Sequence, residues 1–165
     1  MKKRSLIVAV LLIAMFAVFA MGSGEDTTVD QGNGNVSANN GNTSNIGNYS
    51  VTIDSCRLAK DYEGKPVVTV KYTFKNVSDD DATAFYTAFN DKVYQNGVGL
   101  NGAYVLDDSA NYSDDNQTKA IKKGASIEVE VAYELNDTTT NIEVEVEELF
   151  SFDDTKITKT FTIAN

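Results

Sequence analysis

From residue 49 onward, apolar and polar side chains alternate along four short runs of the sequence. In PVVTVKYTFKN (66–76), every second residue from Val68 is apolar, and threonine or lysine separates them. ASIEVEVAYEL (125–135) and NIEVEVEELF (141–150) alternate apolar residues with glutamate, and KITKTFTI (156–163) has the same period. Successive side chains of a strand point to opposite faces, so each run predicts a strand with one buried and one solvated face.

The stretches beside these runs contain further local signals. Asn96-Gly97 is the dipeptide that best tolerates the two positive φ angles of a type I′ hairpin turn. In the preceding stretch YSVTIDSCRLA (49–59), the apolar residues move from odd to even positions after Ile53. This change predicts a bulge or a crossover between sheets near Asp54-Ser55. The stretch DATAFYTAF (81–89) fits either a strand or one helical turn.

Residues 49–165 therefore predict an all-β domain with about seven or eight strands, most of them in two packed antiparallel sheets. The glutamates at 128 and 130 and those at 143 and 145 would repel each other if their strands paired. We therefore expect these two strands to lie in different sheets or to meet counter-ions.

The first 22 residues have the features of an export signal. MKKRS supplies a positive n-region, and no charge interrupts the stretch from Leu6 to Met21. Small residues allow cleavage after Ala20 or Gly22, and an uncleaved signal-anchor is the alternative. We expect a protein that is secreted or held at the extracellular face of the cell envelope. Ser23 stands where a lipoprotein carries its acylated cysteine, so we expect no lipid anchor.

Residues 23–48 are built mainly from Gly, Asn, Ser, Thr and Asp, with three aliphatic residues among them. Such a segment buries too little apolar surface to offset its ordering entropy, which predicts a disordered linker. The expected organisation is a signal segment over 1–22, a linker over 23–48 and a sandwich domain over 49–165.

Three blocks of the sequence carry a resemblance to a known family. DYEGKPVVTVKYTFKN, VYQNGVGL and KKGASIEVEVAYELND occur in an order and spacing that resemble domain-of-unknown-function family 5067. The resemblance implies an immunoglobulin-like, telokin-like sandwich in an exported protein or lipoprotein of a Gram-positive bacterium, and it implies no activity. The matching positions are Asp61, Gly64, Tyr72, Asn76, Gln95, Asn96, Gly97, Leu100, Gly124, Tyr133 and Leu135.

The side-chain inventory restricts the available chemistry. The chain has no histidine and a single cysteine, which excludes Ser-His-Asp and Cys-His catalysis and zinc sites built from these ligands. The net charge of −10 argues against nucleic acid or an anionic membrane surface as partner. We therefore expect no enzymatic activity and no cofactor. The alternative is a hydrolase of envelope polymers that uses a pair of carboxylates.

Three acidic loops, SDDDA, DDSANYSDDN and SFDD, offer the oxygen ligands that calcium prefers. None of them follows the EF-hand spacing, and ordinary solvated turns explain the same residues. The candidate calcium ligands are Asp79, Asp80, Asp107 and Asp114.

Four tyrosines in or near predicted turns are candidates for an interaction surface, because tyrosine is enriched at interfaces. They are Tyr62, Tyr94, Tyr104 and Tyr112, and the alternative is that each caps an end of the core. The sequence thus predicts a non-enzymatic extracytoplasmic binding module with an unidentified protein or envelope-polymer partner. A structural, antigen-like surface domain without a small-molecule ligand is a further alternative. Contact with a membrane is expected only through an uncleaved signal segment.

Overall fold

The computed structural model of the 165-residue chain describes residues 35–39, 43–79, 81–105, 112–151 and 155–164. The predicted signal segment over 1–22 lies outside these ranges. Within them, no helix has the length and apolarity needed to cross a bilayer. The described residues form one helical turn, α1 (Phe85–Ala88), and nine strands. The strands are β1 (Asn35–Asn39), β2 (Thr43–Ile46), β3 (Tyr49–Lys60), β4 (Pro66–Asn76), β5 (Phe89–Gln95), β6 (Val98–Gly99), β7 (Ser126–Glu134), β8 (Ile142–Glu148) and β9 (Lys156–Ala164).

The strands form two antiparallel sheets that enclose one core. The order is β1-β9-β8-β5-β6 in the five-stranded sheet and β2-β3-β4-β7 in the four-stranded sheet. The predicted all-β, immunoglobulin-like antiparallel sandwich is confirmed. The described residues from 49 onward supply seven of the strands, in agreement with the number expected from the alternating runs.

The core is built by the inward members of the alternating runs. On β4, Val68, Val70, Tyr72 and Phe74 are all fully buried, and Phe161 of β9 meets them from the other sheet. Each buried aliphatic or aromatic side chain contributes roughly 1.5–3 kcal/mol relative to an exposed one. The two sheets therefore hold together through hydrophobic burial, as expected for a chain whose single cysteine allows no internal disulfide.

The helical turn α1 covers an aromatic cluster at one side of the core. It resolves the ambiguous stretch 81–89 as one helical turn, which buries Phe85 and Ala88 before β5 begins at Phe89. The rings of Tyr49, Phe74, Phe85 and Phe89 lie with neighbouring centroids 5.4 to 6.1 Å apart. Edge-to-face contacts of this kind add about 0.5–1.5 kcal/mol per pair to the burial itself, so they fix α1 against the sandwich.

Strand β3 contains the predicted irregularity as a bulge. Its pairing with β4 shifts register between Ile53 and Ser55, and both halves of β3 keep the same partner strand. The bulge lets Ile53 and Cys56 both face the core despite their opposite parity. The crossover alternative is therefore wrong, because β3 stays within one sheet.

Strands β1 and β2 correct the predicted linker over 23–48. Both strands lie in the segment that the sequence predicted to be disordered. β1 pairs with β9, and β2 pairs with β3. The prediction is wrong for 35–39 and 43–46, and 23–34 and 40–42 lie outside the described residues. The physical reason is that an edge strand is held by backbone hydrogen bonds, which need few apolar side chains. Ile46 nevertheless adds one fully buried side chain to the core.

The hairpin signal is confirmed by the backbone. Asn96 has a φ of 51° and Gly97 a φ of 74°, and these two residues connect β5 to β6. Among the described residues, Asn96 is the one non-glycine residue with a positive φ. A side chain at position 97 would be strained in this conformation, which explains the glycine.

The glutamate rows of β7 and β8 lie in different sheets and also meet counter-ions. Glu130 pairs with Arg57 at 3.2 Å, and Glu128 pairs with Lys71 at 2.9 Å, both on the four-stranded sheet. On the other sheet, Glu145 pairs with Lys156 at 2.7 Å. Both predicted ways of avoiding repulsion between the two glutamate rows therefore occur: the rows lie in different sheets, and their carboxylates meet counter-ions.

Candidate functional site

A cavity of about 470 Å³ opens at the side of the sandwich where α1 passes between the two sheets. Its volume falls within the range of small-molecule sites. Most of its lining is aromatic or aliphatic, with a few polar groups. The lining residues are Phe85, Tyr86, Thr87, Phe89, Asn90, Asp91, Gln117, Val131, Leu149 and Phe150.

Two backbone hydrogen bonds hold the walls of this cavity in place. The amide of Tyr86 in α1 donates to the carbonyl of Gln117 at 3.0 Å. The amide of Leu149, just after β8, donates to the carbonyl of Ala88 at 2.9 Å. The cavity is thus formed by α1, the start of β5, the edge strand β7 and the segment that follows β8, and the two bonds tie α1 to Gln117 and to the segment after β8.

Asp91 is the acidic residue of the cavity. It lies on β5 between the buried residues Phe89 and Val93, with the parity of the inner face, opposite Val146 of β8. The hydroxyl of Tyr133, on β7 of the other sheet, donates a hydrogen bond to its Oδ2. A carboxyl group therefore bridges the two sheets beneath a mostly apolar cavity.

The electrostatics of this group follow from its burial. Burial raises the pKa of the Asp91 carboxyl, and the hydrogen bond from Tyr133 opposes part of that rise. Burial also raises the pKa of the Tyr133 hydroxyl, and the neighbouring Asp91 charge raises it further. Among the described residues that line the cavity, none is basic. Asp91 therefore has a hydrogen-bond donor beside it but no counter-ion in the cavity wall.

Tyr72 places a second polar group behind Asp91. Its side chain is fully buried, and burial followed by the proximity of Tyr133 and Asp91 raises its pKa well above the usual range. Its hydroxyl lies close enough to Asp91 to lower the pKa of that carboxyl in part, although its contacts with Asp91 and Tyr133 fall outside strict hydrogen-bond geometry. The core therefore presents a second hydroxyl to the carboxyl group of Asp91.

The rim of the cavity exposes large apolar side chains. Phe150 is 82% exposed, Tyr86 is 69% exposed, and Leu149 lies beside them. Isolated exposed apolar residues are ordinary, but here they border a cavity whose walls are apolar as well. The arrangement can hold an apolar ligand between the rim and the aromatic cluster, with Asp91 as its charged contact.

The four tyrosines indicated by the sequence lie on other elements. Tyr62 is in the turn between β3 and β4, and Tyr104 follows β6; both are well exposed. Tyr94 is a half-buried residue of β5 beside Gly99 of β6. None of the four lines the 470 Å³ cavity. That they form one interaction surface stays a prediction.

Tyr112 contributes to the protection of the β7 edge. Its hydroxyl is held by the backbone of Ala132 and by the side chain of Gln117, and burial raises its pKa to about 12. Gln117 also donates to the carbonyl of Glu130 at 2.6 Å, and Asn116 donates to that of Glu128 at 2.9 Å. Side-chain amides thus occupy the carbonyl groups of an edge strand that would otherwise be open to pairing with another chain.

Two of the four calcium candidates, Asp79 and Asp114, lie in the described residues. Asp79 is exposed and forms an ion pair with Lys123, and Asp114 is exposed at the start of a turn. Asp80 and Asp107 lie outside the described residues. In the described ranges, no group of three or more potential metal ligands comes together. Calcium binding by these loops stays a prediction.

Several residues that carry the family resemblance have structural roles. Asp61 accepts the amides of Glu63 and Lys65 at 2.8 Å and so closes the β3–β4 turn. Gln95 donates to the carbonyls of Asp137 and Thr140 at 3.0 Å and so fixes the loop between β7 and β8. The residues that carry the resemblance therefore mainly stabilise the fold. Among them, Tyr72 and Tyr133 also lie close to the cavity.

The sequence interpretation missed Asp91, Tyr86 and Phe150. A usable signal existed for Asp91, because it has the parity of buried Phe89 and Val93 and so belongs to the inner face. No comparable signal existed for Tyr86 and Phe150, which are far apart in sequence and share a cavity only in the folded chain.

Comparison with known proteins gives one family and two structures. The family model for a domain of unknown function, DUF5067, matches residues 26–148, a range that includes β1 and β2. The crystal structure of ycdA, a candidate lipoprotein from Bacillus subtilis, is similar with a TM-score of 0.55 and 19% identity. That match covers 73% of this chain, which spans only 37% of the Bacillus chain.

A candidate lipoprotein from Staphylococcus aureus is similar with a TM-score of 0.52 and 20% identity, over 74% of this chain and 93% of that one. No curated protein matches the sequence. At these identities the two structures show that the fold is shared.

Proposed function

The chain belongs to the DUF5067 family, as its sequence indicated, and from that premise we propose that it is a non-enzymatic binding module of the cell envelope. Its ligand site is the 470 Å³ cavity between α1, β5 and β7. The observation that carries the proposal is the combination of apolar walls, an exposed aromatic rim and one inward-facing carboxyl, Asp91.

An extracytoplasmic position is supported by two observations. The first 22 residues have the pattern of an export signal, with a basic start and an uninterrupted apolar run. The two structures with the same fold are named as candidate lipoproteins. Ser23 provides no thiol for acylation, so the proposed form is secreted or held by the signal segment.

A hydrolase that uses paired carboxylates is less well supported by this cavity. Glycoside hydrolysis of that type needs two carboxyl groups on either side of the scissile bond. Asp91 is the one carboxyl group among the described residues that line the cavity. The geometry therefore favours binding without turnover.

The proposal is tested by titrating the full-length, ¹⁵N-labelled chain with small apolar fragments and following the amide signals. We expect shifts at Tyr86, Asp91 and Leu149, and loss of binding in Tyr86→Ala. Tyr104→Ala is the matched control, because this tyrosine is similarly exposed, at 77%, but does not line the cavity. Shifts that are absent from the cavity, or that survive in Tyr86→Ala and vanish in Tyr104→Ala, would contradict the proposal.

A further inference from the structure

We propose that the cavity recognises an alkylammonium group: a protonated primary amine at the end of an apolar chain, seated with its nitrogen at Asp91. This inference rests on the proposed function and specifies its ligand class. The geometry that carries it is a carboxyl group at the inner face of β5, reached through an apolar, aromatic-lined opening.

A ligand cation would complement the charge of Asp91. Buried charges in proteins are normally paired with an opposite charge, because an isolated one is costly to desolvate. The groups beside Asp91 are the hydroxyls of Tyr133 and Tyr72, and in the described part of the chain no basic side chain lies among them or in the cavity lining. The nearest lysine along the strand, Lys92, forms an ion pair with Glu147 at 2.7 Å. A ligand cation would supply the missing partner.

The aromatic lining of the cavity also suits an ammonium ion. The cavity is lined by Phe85, Phe89, Tyr86 and Phe150, of which the last two are exposed at the rim. The faces of aromatic rings attract ammonium groups, and cages of aromatic residues are a general way to bind them. The same rings and Val131 accommodate the methylene groups of the attached chain, which adds hydrophobic burial to the charge interaction.

Asp91 also keeps hydrogen-bonding capacity for a ligand. An ionised carboxylate offers about four lone-pair sites, and the Tyr133 hydroxyl occupies one of them. A primary ammonium has three donors, so it can occupy further sites of this carboxylate. An alcohol offers one donor and no charge, and a carboxylic acid would bring a second negative charge against Asp91.

The test measures the affinity of the full-length chain for n-hexylammonium, n-hexanol and hexanoate by NMR titration at pH 7. We expect hexylammonium to bind at least tenfold more tightly than hexanol, and hexanoate more weakly than either. In Asp91→Asn, which keeps an acceptor for Tyr133, the preference for hexylammonium over hexanol should disappear while hexanol binding is retained. Retained hexanol binding and an unchanged melting profile show that the variant is folded.

The pH dependence supplies a second readout. The titratable groups beside Asp91 are Tyr133 and Tyr72, and burial raises the pKa of both hydroxyls above the ordinary tyrosine value, so both stay neutral as Asp91 ionises. The affinity for hexylammonium should therefore rise with pH as Asp91 ionises, while the affinity for hexanol stays constant. Nα-acetyl-lysine N-methylamide then separates the sources: binding comparable to hexylammonium indicates a lysine side chain of a peptide, and weaker binding indicates a free amine.

The outcomes separate this inference from the proposed function. Equal binding of hexanol and hexylammonium, or an unchanged preference in Asp91→Asn, overturns the ammonium assignment and leaves the cavity as a binding site. If none of the probes shifts any cavity residue, the proposed function itself is contradicted, and the inference fails with it.

Discussion

Lys159 is a buried lysine that connects the two sheets at the β3 bulge, and its removal tests how the bulge is stabilised. It lies on β9 with the inward parity of Phe161, and the residue is only 6% exposed. Its Nζ donates to the carbonyls of Ile53 and Asp54 at 2.7 and 2.8 Å, where the β3–β4 ladder changes register. The ammonium also lies 5.0 Å from the centroid of the Phe161 ring.

The expected cost of Lys159→Met follows from these contacts. Hydrogen bonds to a charged group are worth about 1.5–3 kcal/mol each, and the variant leaves two backbone carbonyls without their donor. Burial of the ammonium opposes this gain, and methionine restores apolar packing at similar volume. The groups left behind are neutral, so the net loss should be smaller than the 3–5 kcal/mol typical of breaking a buried ion pair. We expect a net loss of about 2–3 kcal/mol, or roughly 5–10 °C in melting temperature for a chain of this size.

The control is Lys156→Met on the same strand. Lys156 is half-exposed and pairs with Glu145 at 2.7 Å on the outer face. Exposed ion pairs are worth about 0–1 kcal/mol, so this variant should melt close to the wild type. Chemical denaturation of the wild type and the two variants gives the free energies of unfolding. Equal stabilities of Lys159→Met and the wild type would refute the role assigned to the buried ammonium, as would an equal loss in both variants.

The pKa of Lys159 gives the same experiment a pH dependence. Burial lowers its pKa in the folded state below the ordinary lysine value of 10.5, although the nearby Asp54 raises it in part. At a pH between the lowered pKa of the folded state and the ordinary pKa of the unfolded state, the unfolded chain binds more protons at Lys159 than the folded chain. The contribution of Lys159 to stability therefore increases as the pH rises through that window. The stability difference between the wild type and Lys159→Met should therefore grow as the pH approaches 10.5. A difference that shrinks would contradict the assigned sign.

Four further predictions address the core, a loop, the acidic segments and export. Val129→Asp should unfold the domain because it buries an unpaired carboxylate, whereas Val98→Asp on exposed β6 should melt normally; a native transition in both would contradict the assignment of β7. Asp137 accepts the amides of the two threonines at 139 and 140, which lowers its pKa to about 2, so its contribution to stability is present above pH 4 and lost as pH falls through 2. An Asp137→Ala variant should accordingly match the wild type more closely at pH 2 than at pH 6 in thermal melts. If an acidic loop binds calcium, millimolar calcium should raise the melting temperature relative to EDTA, and identical melts would reduce these loops to solvated turns. Mass spectrometry of the exported protein should show cleavage after Ala20 or Gly22 without a lipid; a diacylglyceryl adduct would overturn that expectation.

The sequence by itself determined the features of this protein that are local. Alternation with a period of two identified the main strands and their inward faces, because the pleat imposes that period on any strand. The parity change after Ile53 indicated the bulge, and Asn96-Gly97 indicated the hairpin, because both depend on the conformation of one or two residues. The family resemblance depends on residues of the same kind, since many of them close turns or fill the core.

Only the tertiary structure decided which segments meet. Strand β1 could not be recognised, because its stability comes from backbone pairing with β9 more than a hundred residues later and not from its own composition. Lys159 and Asp91 both have inward parity, but whether a buried charge meets carbonyl groups, a tyrosine or an open cavity depends on the opposite sheet. The cavity itself joins α1, β5, β7 and the segment after β8. Its chemistry arises from distances between residues remote in sequence, which no local pattern encodes.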